Sequence, residues 1–236
     1  MTRMIVVTGG ATGIGRATAE RFRADGDEVV ITGRRADVLA KTAADLGVRG
    51  VVCDATDPAQ VERLLDELPE KVDVLVNNAG GNTDFGRPDG DLAQLRTNWL
   101  ANLEANLISA VLTTTALAPR LTTAVVHLGS IAGARGAGSY GASKAALAMW
   151  NVDAAAELGV QGVTSNVVAP GFTADTEFFQ GRLTDERRQT LLQATLTKRE
   201  GQVEHIAGTI HFLASPAARH ITGQVLHVNG GALISR

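Results

Sequence analysis

The chain contains one cysteine, one tyrosine, two tryptophans and three methionines, and aromatic residues occupy only 4% of its 236 positions. A lone cysteine, Cys53, excludes an internal disulfide framework and fits a reducing compartment. The net charge is −3 and no basic block is present, so electrostatics give no support to a nucleic-acid partner. No apolar run approaches the ~18–20 residues that a membrane helix requires. The chain opens almost directly on MIVVTGG, which reads as a strand and turn rather than a signal peptide. His127, His205, His211, His220 and His227 show no ligand spacing, so packing or surface roles are expected and no metal site is. These scarcities point to a soluble cytoplasmic protein.

Abundant instead are glycine, with 26 residues, and hydrophobic side chains, at 44%, enough for one sizeable core. Short β-branched runs predict strands at 4–7, 28–32, 50–53, 72–77, 124–129, 163–168 and 224–228. Helical patterns lie between them at 14–25, 36–46, 58–68, 91–118, 139–158 and 202–214. Strands that read as nearly continuous apolar runs are typical of parallel sheets covered on both faces. Their alternation with helices implies right-handed crossovers and an α/β fold, a doubly wound single domain over 1–236 with seven parallel strands. Only 171–201 is uneven and polar, either a lid over a site or an ordinary connection.

The first strand runs into VVTGGATGIGRATAERF, with Gly9, Gly13 and Gly15 ahead of an amphipathic helix. Glycine lets a backbone turn sharply and approach a phosphate, and a helix start offers free N–H groups to negative charge. The spacing is G-x-x-x-G-x-G rather than the more familiar G-x-G-x-x-G. At the end of the second strand an acid would hold a free ribose 2′-hydroxyl. This chain has Gly33 there, followed by Arg34 and Arg35. A guanidinium can bind a 2′-phosphate bidentately, which favours NADP(H) and leaves NAD(H) as the alternative. The alternative to a phosphate role is that both arginines are solvated surface charge.

TGGATGIG (8–15), CDATD (53–57), NNAG (77–80), Ser130, YGASK (140–144) and PG (170–171) together resemble the short-chain dehydrogenase/reductases. The likeness covers nearly the whole chain in the family's order, through ITGQVLHVNGG (221–231). It implies a Rossmann-type fold in which Gly9, Ala11, Thr12, Gly13, Ile14 and Gly15 hold the cofactor phosphates. Asp54 and Ala55 would then lie near the adenine, and Asn78, Ala79 and Gly80 would line the cleft. Pro170, Gly171 and Thr173 would flank the nicotinamide, while Ser130, Tyr140, Lys144 and Asn106 would form the catalytic set. By pattern alone, Asn102 and Asn106 are indistinguishable in NLEANL; the alignment selects Asn106. Three departures stand out. Thr12 takes a place where many NADP-preferring members carry a basic residue, so that preference rests mainly on Arg34. The Ser130–Tyr140 interval is short for the family, and Thr176 falls one place later than usual.

Residues four apart on a helix share a face, so Tyr140 and Lys144 should project into the cleft together. A phenol titrates near 10, and a nearby ammonium, with the oxidised nicotinamide, is expected to lower that value. Tyr140 and Lys144 also touch the cofactor in this reading, and Asn106 is expected to hold a water leading from Lys144 to solvent. The implied chemistry is hydride transfer between a nicotinamide and a small carbonyl or alcohol compound, 3-oxoacyl thioesters being the first candidate. Sugar, polyol, steroid and small-ketone substrates are alternatives, as is a non-catalytic nucleotide sensor on the same fold. Helices 91–118 and 139–158 are expected to pair copies into a homotetramer or dimer, with Trp99 and Trp150 at helix or subunit contacts.

Overall fold

A computed structural model describes residues 2–85, 90–174, 176–179 and 181–234. Seven strands form one parallel sheet: β1 (Met4–Thr8), β2 (Glu28–Gly33), β3 (Arg49–Val52), β4 (Val72–Asn77), β5 (Leu121–Leu128), β6 (Thr164–Pro170) and β7 (Val225–Val228). Their order is β3-β2-β1-β4-β5-β6-β7, so the winding reverses between β1 and β4. Ligands in such sheets bind outside the carboxyl ends of the strands at that reversal.

The continuous apolar runs are explained by two cores. Ile5 and Val7, Val29 and Ile31, Val74 and Val76 face one side, with Phe22, Ile206, Ile210 and Leu213. The residues between them, Val6, Val30 and Leu75, face the other side with Leu64, Leu117 and Leu158. Successive side chains alternate across a strand, so a sheet covered twice needs apolar residues at every position.

The covering helices are α1 (Gly13–Ala24), α2 (Ala36–Leu46), α3 (Pro58–Asp66), α4 (Leu92–Leu103), α5 (Ser109–Leu117), α6 (Ala132–Arg135), α7 (Gly138–Gly159), α8 (Asp185–Gln193) and α9 (Val203–Leu213). Local chemistry sets several ends. Asp57 accepts from Ala59 N and Gln60 N ahead of Pro58, and Gly47 closes α2 in the left-handed conformation.

Two expectations need correction. The single helix over 91–118 is interrupted by a π turn, Glu104–Ile108, between α4 and α5. Hydrophobic periodicity carries no signal for one wide turn. The uneven stretch 171–201 contains α8, capped by Thr184 accepting from Arg187 N, with none of its residues buried. A helix polar on all sides leaves no periodic pattern to read. Among the described residues no helix is long and apolar enough to cross a membrane.

Candidate active site

The glycine-rich turn joins β1 to α1 at the reversal point. Gly9 and Gly13 have positive φ, 63° and 51°. A Cβ on Gly15 would stand 2.2 Å from Gly9 O, so the turn closes only around a bare α-carbon. Thr12 is the N-cap of α1 but makes no side-chain cap, and the first turn holds no acid. Its N–H groups and positive dipole end are therefore available to an anion, which fits a phosphate. Asn78 fixes the turn to β4 by donating from Nδ2 to Thr8 O (3.1 Å) and Gly9 O (2.8 Å). Ala79 N donates to Thr8 Oγ1 at 3.0 Å.

Beyond β2, Arg34 is 76% exposed, with Nη1 3.8 Å from Asp54 Oδ2. Asp54 Oδ1 accepts from Thr56 N and Oγ1, which fixes the carboxylate at the end of β3. Ala55 beside it is buried. Arg35 turns the other way, donating from Nη2 to Glu177 Oε2 at 2.8 Å.

Asn106 lies buried inside the π turn. Its Oδ1 accepts from Gly81 N and its Nδ2 donates to Gly81 O, both at 2.9 Å. A Cβ on Gly80 would meet Asn106 Oδ1 at 2.6 Å, so the chain after Asn77 is seated on this amide. Asn102, the other asparagine of the motif, donates to Asp84 Oδ1 and Ser139 Oγ at 2.8 Å each. The two residues thus do separate work. Asn106 holds the Gly80–Gly81 turn, and Asn102 ties the loop after β4 to the start of α7.

Tyr140 and Lys144 lie one turn apart on α7, 7% and 5% exposed. The short Ser130–Tyr140 interval is filled by α6, which packs backbone to backbone on α7. A Cβ on Gly133 would meet Ala145 N at 2.9 Å, and one on Gly141 would meet Ala132 O at the same distance. Ser130 Oγ accepts from Ala132 N at 3.1 Å, and its side chain acts on Tyr140 so as to lower the phenol's titration. Lys144 Nζ donates to Leu128 O at 2.6 Å.

Without a bound nicotinamide, burial dominates the titration of Tyr140. Burial pushes the phenol up to about 12, against the lowering effect of the Ser130 hydrogen bond. Burial also pulls Lys144 down to about 7, so the lysine loses its charge near neutrality and acts as a weaker partner for a phenolate. His127 is a packing residue: buried in β5, it pairs through Nδ1 with Asn77 Nδ2 and through Nε2 with Ser165 Oγ, both at 3.1 Å. Burial, and then the Lys144 charge, hold it down to about 3.

Pro170 ends β6, and Gly171 N donates to Val228 O at 3.1 Å. A Cβ on Gly171 would meet Asn229 Cβ at 2.7 Å. Thr173 is buried and bridges to Gly201. The next described residues run back across the cleft. Thr176 lies against Gly13, Glu177 against Arg35, and the Phe178 ring 5.4 Å from that of Tyr140.

Known proteins share this sequence pattern and fold. Residues 9–232 fit the family model described as enoyl-(acyl carrier protein) reductase. The 3-oxoacyl-(acyl-carrier-protein) reductase of Escherichia coli is 34% identical over 97% of this chain and 96% of its own. That of Mycobacterium bovis is 36% identical over 98% and 93%. The solved structure of a short-chain type dehydrogenase/reductase from Mycobacterium ulcerans superposes with TM-score 0.89 at 27% identity, covering 98% of this chain and 89% of that one. The chain belongs to the short-chain dehydrogenase/reductase family.

As a short-chain dehydrogenase/reductase it is an oxidoreductase acting on alcohol and carbonyl groups. Every residue expected at the site lies on the carboxyl side of the sheet or on α1 and α7 beside it. Sequence reading left three features without a role: Glu177, the phenylalanines around Tyr140, and the Asp84–Ser139 pair, in which Ser139 Oγ donates to Asp84 Oδ2 at 2.8 Å. Thr176 belongs with them. One signal was present, the FF pair at 178–179 in a chain poor in aromatics.

Proposed function

We propose that this chain reduces a carbonyl compound to an alcohol, or runs the reverse, with NADP(H) and with Tyr140 as the general acid and base. The observation that carries the reading is the placement of Tyr140 and Lys144 one turn apart on α7, with Lys144 bonded to Leu128 O at the carboxyl end of β5, where Ser130 follows, in a sheet whose first helix starts uncapped. A bound nicotinamide cofactor supplies or takes the hydride. Gly9, Ala11, Thr12, Gly13, Ile14 and Gly15 hold its phosphates in this proposal, with Arg34 or Arg35 at a 2′-phosphate. Asp54 and Ala55 lie toward the adenine, Asn78 to Gly80 along the cleft, and Pro170, Gly171 and Thr173 at the nicotinamide end.

In the reduction, negative charge develops on the carbonyl oxygen. Ser130 holds that oxygen by a hydrogen bond, and Tyr140 gives it the phenolic proton. A phenol with its titration raised by burial is fully protonated at neutral pH and ready to donate. Lys144, fixed on Leu128 O, positions the lower side of the cleft, and Asn106 keeps the Gly80–Gly81 turn open beside it.

The names of the two reductases above support 3-oxoacyl thioesters as the first substrates to test. Exposed Leu92, Leu95 and Trp99 on α4, with Met149 and Val152 on α7, support a homodimer or homotetramer. The test is purified protein with NADPH and a panel of ketones and 3-oxoacyl thioesters, alongside Tyr140→Phe. Turnover should fall by roughly 10²–10⁴-fold in the variant while NADPH binding is kept. Near-normal turnover in Tyr140→Phe would remove the assignment.

A further inference from the structure

Aromatic side chains are scarce in this chain, yet four of its six phenylalanines and its only tyrosine form one group. The Phe178 ring lies 5.4 Å from Tyr140, 5.7 Å from Phe85 and 5.0 Å from Phe179. Phe172 extends the group to 6.0 Å from Phe179. Several pairs meet edge to face, at 87° for Phe85–Phe178 and 89° for Phe178–Phe179. The rings come from two loops, one beyond β4 and one beyond β6, which meet over the catalytic tyrosine.

These rings are not needed by the core. The two buried clusters are aliphatic apart from Phe22 and Cys53, and the four loop phenylalanines stay partly exposed. A single exposed ring is ordinary, but a connected apolar set beside reacting groups marks a binding wall. The carboxylates that flank it are engaged elsewhere, Asp84 with Ser139 and Asn102, Glu177 with Arg35. That leaves the wall apolar.

A compound that delivers its carbonyl oxygen to Tyr140 and Ser130 can lay one of its two substituents against Phe178, whose ring stands beside Tyr140, and then Phe85. A linear acyl chain there gains buried area and loses rotational freedom. A flat ring gains the same area, is already rigid, and continues the edge-to-face arrangement through its quadrupole. Resting on the carbonyl-reductase reading above, we infer that the preferred substrate carries an aromatic ring within a bond or two of the reacting carbonyl, with Phe178 and Phe85 setting that preference.

The experiment compares phenylacetone with cyclohexylacetone, whose carbonyls are equally remote from a ring of similar size, and with a 3-oxoacyl thioester. NADPH oxidation is followed to obtain kcat/KM. Phenylacetone should exceed cyclohexylacetone by about tenfold, since each aromatic pair adds roughly two- to tenfold beyond area. In Phe178→Leu and Phe85→Leu, which keep an apolar side chain, the ratio should fall toward unity. Equal rates for the two ketones, a thioester preferred over both, or a ratio unmoved in both variants overturns the inference while leaving carbonyl reduction intact. No turnover with any carbonyl compound overturns both.

Discussion

Glu177 Oε2 accepts a hydrogen bond from Arg35 Nη2 at 2.8 Å and stands 3.5 Å from Thr12 Oγ1. A carboxylate from the segment beyond β6 is thus held at the glycine-rich turn, where a phosphate is expected. The two anions compete for one guanidinium and repel each other. Glu177→Gln should therefore tighten NADPH binding. The pair is 55% and 62% exposed, and such pairs contribute only ~0–1 kcal/mol, so the gain should be at most about fivefold. Calorimetric titration at low and high salt checks it, the gain shrinking as salt rises. Unchanged or weaker binding in the variant would show that Glu177 has no such competing role.

Cofactor choice can be reversed where the structure leaves room. A Cβ on Gly33 would meet only Leu39 Cδ1, at 3.8 Å. Gly33→Asp with Arg34→Ala should install an acceptor for a free 2′-hydroxyl and remove a phosphate partner together. NADH should then bind better than NADPH, a charge-assisted hydrogen bond being worth ~1.5–3 kcal/mol. If the double variant still prefers NADPH, Arg35 carries the phosphate.

Tyr140 is the only tyrosine, so phenolate absorbance reports this residue alone. With burial pushing it up to about 12, no phenolate should form in the folded protein up to about pH 10.5, although the unfolded chain is then largely ionised. A folded-state midpoint near 10 or lower would mean that the lysine charge outweighs burial, as the sequence alone suggested.

Lys144 gives a stability signature of opposite sign. Its folded pKa, about 7, lies below its ordinary value of 10.5, so between those values the unfolded chain binds more protons. Stability must then rise with pH across that window. Measured against Lys144→Met by denaturant unfolding, the wild type should gain about 2 kcal/mol from pH 7.5 to 9.5. A flat difference would show that the ammonium stays charged in the folded state.

Much of this was readable beforehand, and for identifiable reasons. The strands announced themselves because both faces of the sheet are covered, and Gly15 because its turn tolerates no side chain. That Tyr140 and Lys144 share one face of α7 followed from helical spacing, a local relation, while their roles came from the family resemblance. Glu177 and Phe178 were not, because their partners Arg35 and Tyr140 lie far away in sequence and a polar loop carries no period that points to them. The burial of Tyr140, which raises its titration in the cofactor-free chain, was not legible for a similar reason. Charge neighbours can be read from spacing, whereas burial depends on the whole fold.

The wide turn at Glu104–Ile108 has a geometric consequence along the rod that contains it. One residue spans about a hundred degrees of an α-helix, so an added residue rotates everything after it by about that angle. Upstream, Leu92, Leu95 and Trp99 look outward, whereas downstream Ala110, Thr113, Thr114 and Leu117 look into the sheet. The rod is thus written in two reading frames, with Asn106 at the frameshift. Delete one residue there, and either the inner face of α5 turns to water or the outer stripe of α4 turns inward.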